Sequence, residues 1–206
     1  MFPSIENADE HGLLAISKEI SSEMLFEAYS NGIFPWPVED FDYIPWFSPP
    51  LREVLFFKNL KISKSLQKAQ KNTKLKFTFN TAFDAVIDAC AEYHDQKSGG
   101  TWISEQMSNA YKEFNKLGYS ISVEAWDSDI LVGGLYGVQI GRMFAGESMF
   151  SLVPNVSKLA FLFLIEQLET KKITWIDCQQ STPFSRSFGA NQIIRDDYLK
   201  LLIKSL

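Results

Sequence analysis

Between Ile130 and Phe150 the chain reads ILVGGLYGVQIGRMFAGESMF. Two β-type runs, Ile130–Val138 and Arg142–Ala145, flank Gln139–Gly141. A glycine-bracketed turn between such runs predicts a hairpin. Just beyond it, Glu147 stands between a glycine and apolar residues, where a carboxylate is either a paired core charge or part of a site. The later run WIDCQQ (Trp175–Gln180) is a second apolar strand that ends in an acid. Side chains two apart on a strand share a face. Asp177 and Gln179 therefore point one way and Cys178 the other. If this strand neighbours the hairpin, Glu147, Asp177 and Gln179 converge.

With 206 residues, 46% of them hydrophobic, the chain has enough apolar material for one sizeable domain, with or without a small annex. Two cysteines at no metal-ligand spacing argue against a disulfide framework and fit a reducing compartment. The start shows no basic segment followed by an apolar one, and the longest apolar run, Leu159–Ile165, is too short to span a bilayer. A soluble cytoplasmic protein is expected. The formal net charge of −5 argues against nucleic acid, but its distribution does not. From Arg52 to Lys76 there are seven Lys and one Arg against Glu53 alone. Local field matters more than total charge for a phosphate-bearing partner. The competing reading of this stretch is a solvated helix face.

Residues 1–20 carry only weak structural signals. Ser21 or Ser22 caps a helix to about Asn31, with Gly32 as its stop. Ile33–Pro50 holds five prolines and two tryptophans and reads as an ordered aromatic loop or edge, because proline blocks regular pairing. A basic helix over Ser63–Lys71 and a strand over Leu75–Phe79 follow. Then come helices capped by Asn80 and Ser104, a strand over Tyr119–Trp126, and the hairpin. Asn155–Thr170 is apolar almost all round, so it is predicted to be buried. Ile173–Asp177 is a strand, Thr182–Ala190 a loop, Ile193–Ile194 a last strand, and a helix follows from Asp196. The order indicates an α+β fold around a mixed sheet.

The blocks AYSNGIFPW, WFSPPLREVLF, GTWI, LGYSISVEAW, LVGGLYGV, GESMFS, SKLAF, IDCQ and SFGA occur in this order. Together they closely resemble the leucyl/phenylalanyl-tRNA–protein transferase family, from about Gly12 to the C-terminus. The resemblance implies a small N-terminal domain, taken here as 1–53, and a GNAT-like acyltransferase domain over 54–206 with a mixed sheet flanked by helices. It implies transfer of Leu, Phe or Met from aminoacyl-tRNA to the N-terminal amine of proteins beginning with Arg or Lys, which marks them for degradation. The family's site residues fall on Tyr29, Trp36, Trp102, Glu147, Asp177 and Gln179. The chain departs from the usual pattern in three places. Trp46-Phe47 replaces Trp-Trp, Phe184 stands where members often have His, and Leu135 stands where some have Met.

Aminolysis of an already activated ester requires no metal or cofactor, and none is expected. His11 and His94 lie in polar stretches and are expected on the surface. An unperturbed Asp, pKa roughly 3.9, is a poor base for an α-amine of roughly 7.7–8.0. Asp177 is therefore expected to orient the amine and accept a proton late, helped by Gln179; transfer through the substrate's ribose hydroxyl is the alternative. Glu147 is the candidate partner for the acceptor's basic side chain, though the two acids' roles are interchangeable at this level. Leu135, Phe144, Met149 and Ile176 are candidates to line the pocket for the donor side chain. Trp36 and Trp102 offer faces for the terminal adenine. Lys58, Lys61, Lys64, Lys68 and Lys71 are candidate contacts for tRNA phosphates. A monomer is expected. Two rivals are an acetyl-CoA-dependent N-acetyltransferase, disfavoured by the glycine-free FSLVPN before Asn155, and a non-catalytic tRNA- or peptide-binding module.

Overall fold

The computed structural model describes residues 1–36, 43–98, 101 and 103–206. The N-terminal part supplies three short strands, β1 (Leu13–Ser17), β2 (Phe34–Pro35) and β3 (Ile44–Phe47), and helix α1 (Ser22–Ser30). Ser21 caps α1 by accepting from the Met24 N–H, and Gly32 leaves the helix at a φ of 74°. The strands pair antiparallel in the order β1-β3-β2. This corrects two expectations. The first twenty residues contribute a strand, and the proline-rich stretch contributes two. Pro45 is accommodated opposite Ile16, and its carbonyl accepts from the Trp36 N–H. Strands this short leave few ladder positions at which a missing N–H matters.

A seven-stranded sheet forms the body. Its strands are β4 (Leu51–Phe56), β5 (Lys76–Phe79), β6 (Ser120–Asp127), β7 (Ile130–Ile140), β8 (Met143–Ser151), β9 (Trp175–Gln179) and β10 (Asn191–Ile194), in the order β10-β4-β9-β8-β7-β6-β5. The expected division at 53/54 falls inside β4. Six further α-helices follow among the described residues: α2 (Lys64–Asn72), α3 (Phe83–Ser98), α4 (Glu105–Lys116), α5 (Val156–Thr170), α6 (Pro183–Ser187) and α7 (Arg195–Ile203). One sheet face packs against α1, α3, α4 and α7, and the other against α5, α2 and α6. This is the α+β arrangement expected, a mixed sheet flanked by helices with a small N-terminal sheet beside it. α5 is buried through Leu159, Phe161, Leu162, Leu164, Ile165 and Leu168, in keeping with its nearly uniform apolar surface.

Two details depart from the sequence reading. Asn80 does not cap α3. It adopts a φ of 54° and accepts from Asn115 and the Ser122 N–H. The carboxylate ahead of α3 comes from Glu124 on β6, which accepts from the Thr81 and Ala82 N–H groups. The expected loop after β9 contains α6, which opens with a reciprocal Thr182–Ser185 capping box.

The neighbours β8 and β9 run parallel, whereas every other paired neighbour in this sheet is antiparallel. They are in register at Ala145 and Asp177, and no further ladder pair joins them. The sheet is open beyond that point.

Candidate active site

A cavity of about 500 Å³ lies at this opening. Gly146–Met149 border it on β8 and Cys178–Gln180 on β9 and just past it. Because the gap passes between strands, the cavity draws on both faces of the sheet. Leu135, Phe144, Met149 and Ile176 line it together with Phe161 and Leu164 of α5, forming an apolar lobe. Trp36 lies at its edge, 42% exposed and edge-on to Phe34 with ring centroids 6.0 Å apart. Trp102 lies outside the described residues. Phe184 also lines the cavity and is packed against Phe161 and Phe188.

Glu147 reaches the cavity through a β-bulge. Tyr136 pairs with Ser148 and Gly137 with Gly146, which leaves Glu147 without a partner residue on β7. The extra residue resets the alternation, so Glu147 and Ser148 both turn toward α3 and α4. Glu147 Oε2 accepts from Tyr111 Oη at 3.1 Å, and Oε1 accepts from Gln179 Nε2 at 2.7 Å. Ser148 Oγ lies 3.0 Å from His94 Nε2. Opposite the bulge, a Cβ on Gly137 would sit 2.2 Å from the Ala145 carbonyl oxygen, so glycine is required there. Glu147 is half-buried, open to the cavity and enclosed elsewhere. Burial pushes its carboxyl up to about 7; hydrogen bonding from the Tyr29–Tyr111 hydroxyl pair and from Gln179 pulls the other way, and the nearby Asp177 charge adds to the rise.

Asp177 has a different environment. It is fully buried and does not line the cavity. Arg52 Nε donates to Oδ1 at 2.8 Å and a terminal nitrogen to Oδ2 at 2.6 Å. Tyr198 Oη donates to Oδ2 at 2.8 Å, and the Gln179 backbone N–H donates to Oδ1 at 2.9 Å. The guanidinium is held between the rings of Phe34 and Tyr198, 4.3 and 4.5 Å from their centroids. Burial opposes the charge on Arg52, but Asp177 outweighs it and the guanidinium is held charged. Gln179 thus joins the acids, with its backbone on Asp177 and its side chain on Glu147. It does so at a φ of 55°, a conformation that costs free energy for a non-glycine residue.

Tyr29 is buried and does not touch the cavity. Its hydroxyl lies 2.7 Å from that of Tyr111, the direct donor to Glu147. His11 is exposed as expected, whereas His94 is partly buried and lines the cavity beside Ser148. Lys58, Lys61, Lys64, Lys68 and Lys71 are all exposed, and no ion pair joins them to a described acid. Arg52, counted with that basic stretch in the sequence, is 1% exposed and contributes no surface field. The sequence reading missed Arg52, Tyr198, Tyr111 and Tyr136. For Arg52 there was a signal. A lone cation and a lone acid, each inside an apolar strand pattern, are both too costly to bury unless they meet.

Comparison with known proteins assigns the chain. The pattern described as leucyl/phenylalanyl-tRNA protein transferase matches residues 54–203, and that of the N-terminal domain of the same transferase matches residues 18–50. The leucyl/phenylalanyl-tRNA–protein transferase of Christiangramia forsetii is 42% identical over 204 residues, covering 98% of this chain and 96% of the relative. That of Nitrosospira multiformis is 45% identical over 204 residues, covering 98% and 87%. Among solved structures, FemX superposes with a TM-score of 0.55 at 8% identity, covering 86% of this chain and 70% of FemX, a likeness of fold. Matched over nearly its whole length by both patterns and by these relatives, the chain belongs to the leucyl/phenylalanyl-tRNA–protein transferase family.

Proposed function

We propose that this protein transfers Leu, Phe or Met from aminoacyl-tRNA to the N-terminal α-amine of proteins beginning with Arg or Lys, in the cytoplasm and as a monomer, marking them for degradation. The observation that carries the reading is one cavity with an apolar lobe on one side and the Glu147–Gln179 pair on the other. The donor's side chain occupies the lobe lined by Leu135, Phe144, Met149 and Ile176. Such a lobe rejects charged residues but separates Leu from Met weakly, since a methylene is worth about 1–3 kcal/mol. The terminal adenine stacks on Trp36 and Trp102, contacts worth about 1–3 kcal/mol per base. Lys58, Lys61, Lys64, Lys68 and Lys71 meet tRNA phosphates, so binding weakens with salt.

In the reaction the amine nitrogen bonds to the ester carbonyl carbon. The ester C–O bond breaks, the amine loses one proton net, and the ribose oxygen gains one. Glu147 takes that proton as the C–N bond forms and returns it to the departing oxygen. A carboxyl held at about 7 is matched to this task near neutral pH. Asp177 acts indirectly. With Arg52 it holds the Gln179 backbone, and Gln179 in turn aims Glu147 and the amine. This division gives the amine to Glu147, one of the two assignments left open by the sequence.

The test is direct. Incubation with Phe-tRNA and a peptide starting with Arg is expected to add the mass of one Phe residue to the peptide. An unchanged mass, with intact Phe-tRNA present throughout, overturns the proposal.

A further inference from the structure

A second cavity, about 350 Å³, lies on the other side of α6 and is lined by polar groups, among them Glu53, Lys61, Arg186 and Gln192. Glu53 is 1% exposed. Its Oε1 accepts from Ser185 Oγ at 3.2 Å, while no described residue donates to Oε2 and no ion pair includes Glu53. Glu53 lines this cavity, and Oε2 is the oxygen not sealed away from it. A carboxylate that is nine-tenths buried, with a free oxygen facing a hollow, is a site awaiting a donor. Lys61 and Arg186 are exposed at the same hollow, and Gln192 faces Glu53 directly across β10 and β4.

The hollow's position narrows its occupant. α6 and its cap supply Thr182, Phe184 and Ser185 to the main cavity and Arg186 to the second. Lys61 belongs to the second cavity and precedes α2, which exposes Lys64, Lys68 and Lys71. The hollow thus shares α6 with the main cavity and Lys61 with the start of the lysine surface. A basic peptide side chain suits Glu53 but is repelled by Lys61 and Arg186. A nucleotide suits all three, with its phosphate on the two cations and an exocyclic amine on the carboxylate.

We infer that the second cavity is a nucleotide subsite that holds the residue preceding the terminal adenosine of the donor's 3′ end. Glu53 accepts from the cytosine N4 amine, the pairing that a carboxylate makes with this base. The subsite rests on the transferase reading and adds to it a contact that reads base identity rather than backbone charge.

Short synthetic donors test it: phenylalanyl esters of adenosine, of the dinucleotide CpA and of UpA, each with an Arg-starting peptide. For the wild type, kcat/KM is expected to be about 10-fold higher with CpA than with UpA, the scale of one good base contact. In Glu53→Gln that ratio should fall close to one, because an amide can accept from cytosine N4 or donate to uracil O4, whereas a carboxylate only accepts. Arg186→Ala changes an exposed side chain and therefore keeps the fold; it should reduce the gain of CpA over adenosine several-fold. Equal use of CpA and UpA by the wild type overturns the inference. So does a Glu53→Gln effect confined to the KM of the Arg peptide, which would make the hollow a peptide subsite. If no donor, Phe-tRNA included, gives transfer, it is the transferase reading that fails.

Discussion

Arg52 and Asp177, 125 positions apart in the chain, meet through two parallel hydrogen bonds of 2.8 and 2.6 Å with neither side chain reaching solvent. The pair lies beneath the site rather than in it. Its outer contact is the Gln179 N–H, and Gln179 is the residue that touches Glu147. The fold thus keeps one acid neutralised and leaves the other facing the cavity.

Arg52→Ala leaves Asp177 buried and uncompensated, which is expected to cost about 3–5 kcal/mol. Arg52→Lys is expected to lose much of the same amount, since an ammonium cannot make the bidentate contact or lie flat between Phe34 and Tyr198. Urea unfolding of both variants measures this. A loss under about 1 kcal/mol for Arg52→Ala contradicts the account.

The transfer rate should rise with pH through about 7 as Glu147 loses its proton, and Glu147→Gln should lower kcat by about 10²–10⁴-fold. Stability runs the opposite way. The folded-state value is raised above the ordinary 4.5, so the native state binds a proton more tightly than the unfolded chain does. Stability associated with Glu147 is therefore present below about 4.5 and is lost as the pH climbs through about 7. Thermal unfolding of wild type and Glu147→Gln across this window should show the variant gaining on the wild type as the pH rises. A constant gap would mean that Glu147 is not held protonated by the fold.

Glu124 is fully buried and collects Thr78, Thr81 and Ser122 hydroxyls together with the Thr81 and Ala82 N–H groups. It also places negative charge near the positive end of α3. Glu124→Ala strands these donors and is expected to cost about 2–4 kcal/mol. Chemical denaturation is the check, and a near-neutral result would show that the donors find other acceptors.

Tyr136 has no exposed surface, and its hydroxyl makes no hydrogen bond among the described residues. Its ring is fixed edge-on by Phe83 and Tyr111, with centroids 5.8 and 5.5 Å away. Tyr136→Phe removes only the unpartnered oxygen, so stability should stay the same or rise by up to about 1 kcal/mol. A lower melting temperature would reveal a partner for that oxygen, such as an enclosed water.

Much of the fold was legible because its signals are local. The glycines near Gly141 set the hairpin, Ser21 and Ser104 cap the helices they were expected to cap, and α5 is buried as its uniform apolar surface requires. The errors fell where a local rule met a distant partner. Proline was expected to block regular pairing and leave a loop or an edge, yet Pro45 found a place opposite Ile16 in the central strand of the small sheet. Asn80 was the natural cap for α3, yet Glu124 on another strand supplied the carboxylate. His94 looked solvated because its sequence neighbours are polar, and it lines the cavity because α3 lies over the bulge.

Residue order alone was sufficient for the family and for the apolar residues that meet at the cavity. Which acid is free was settled only by tertiary structure. The unmatched residue at Glu147 turns that side chain toward the gap, because one extra position in a strand reverses every face that follows. Arg52 arrives from a strand far away in sequence to seal Asp177. Proton affinity then follows from burial and neighbouring charge, which are properties of position in space and are written in no single segment of the chain.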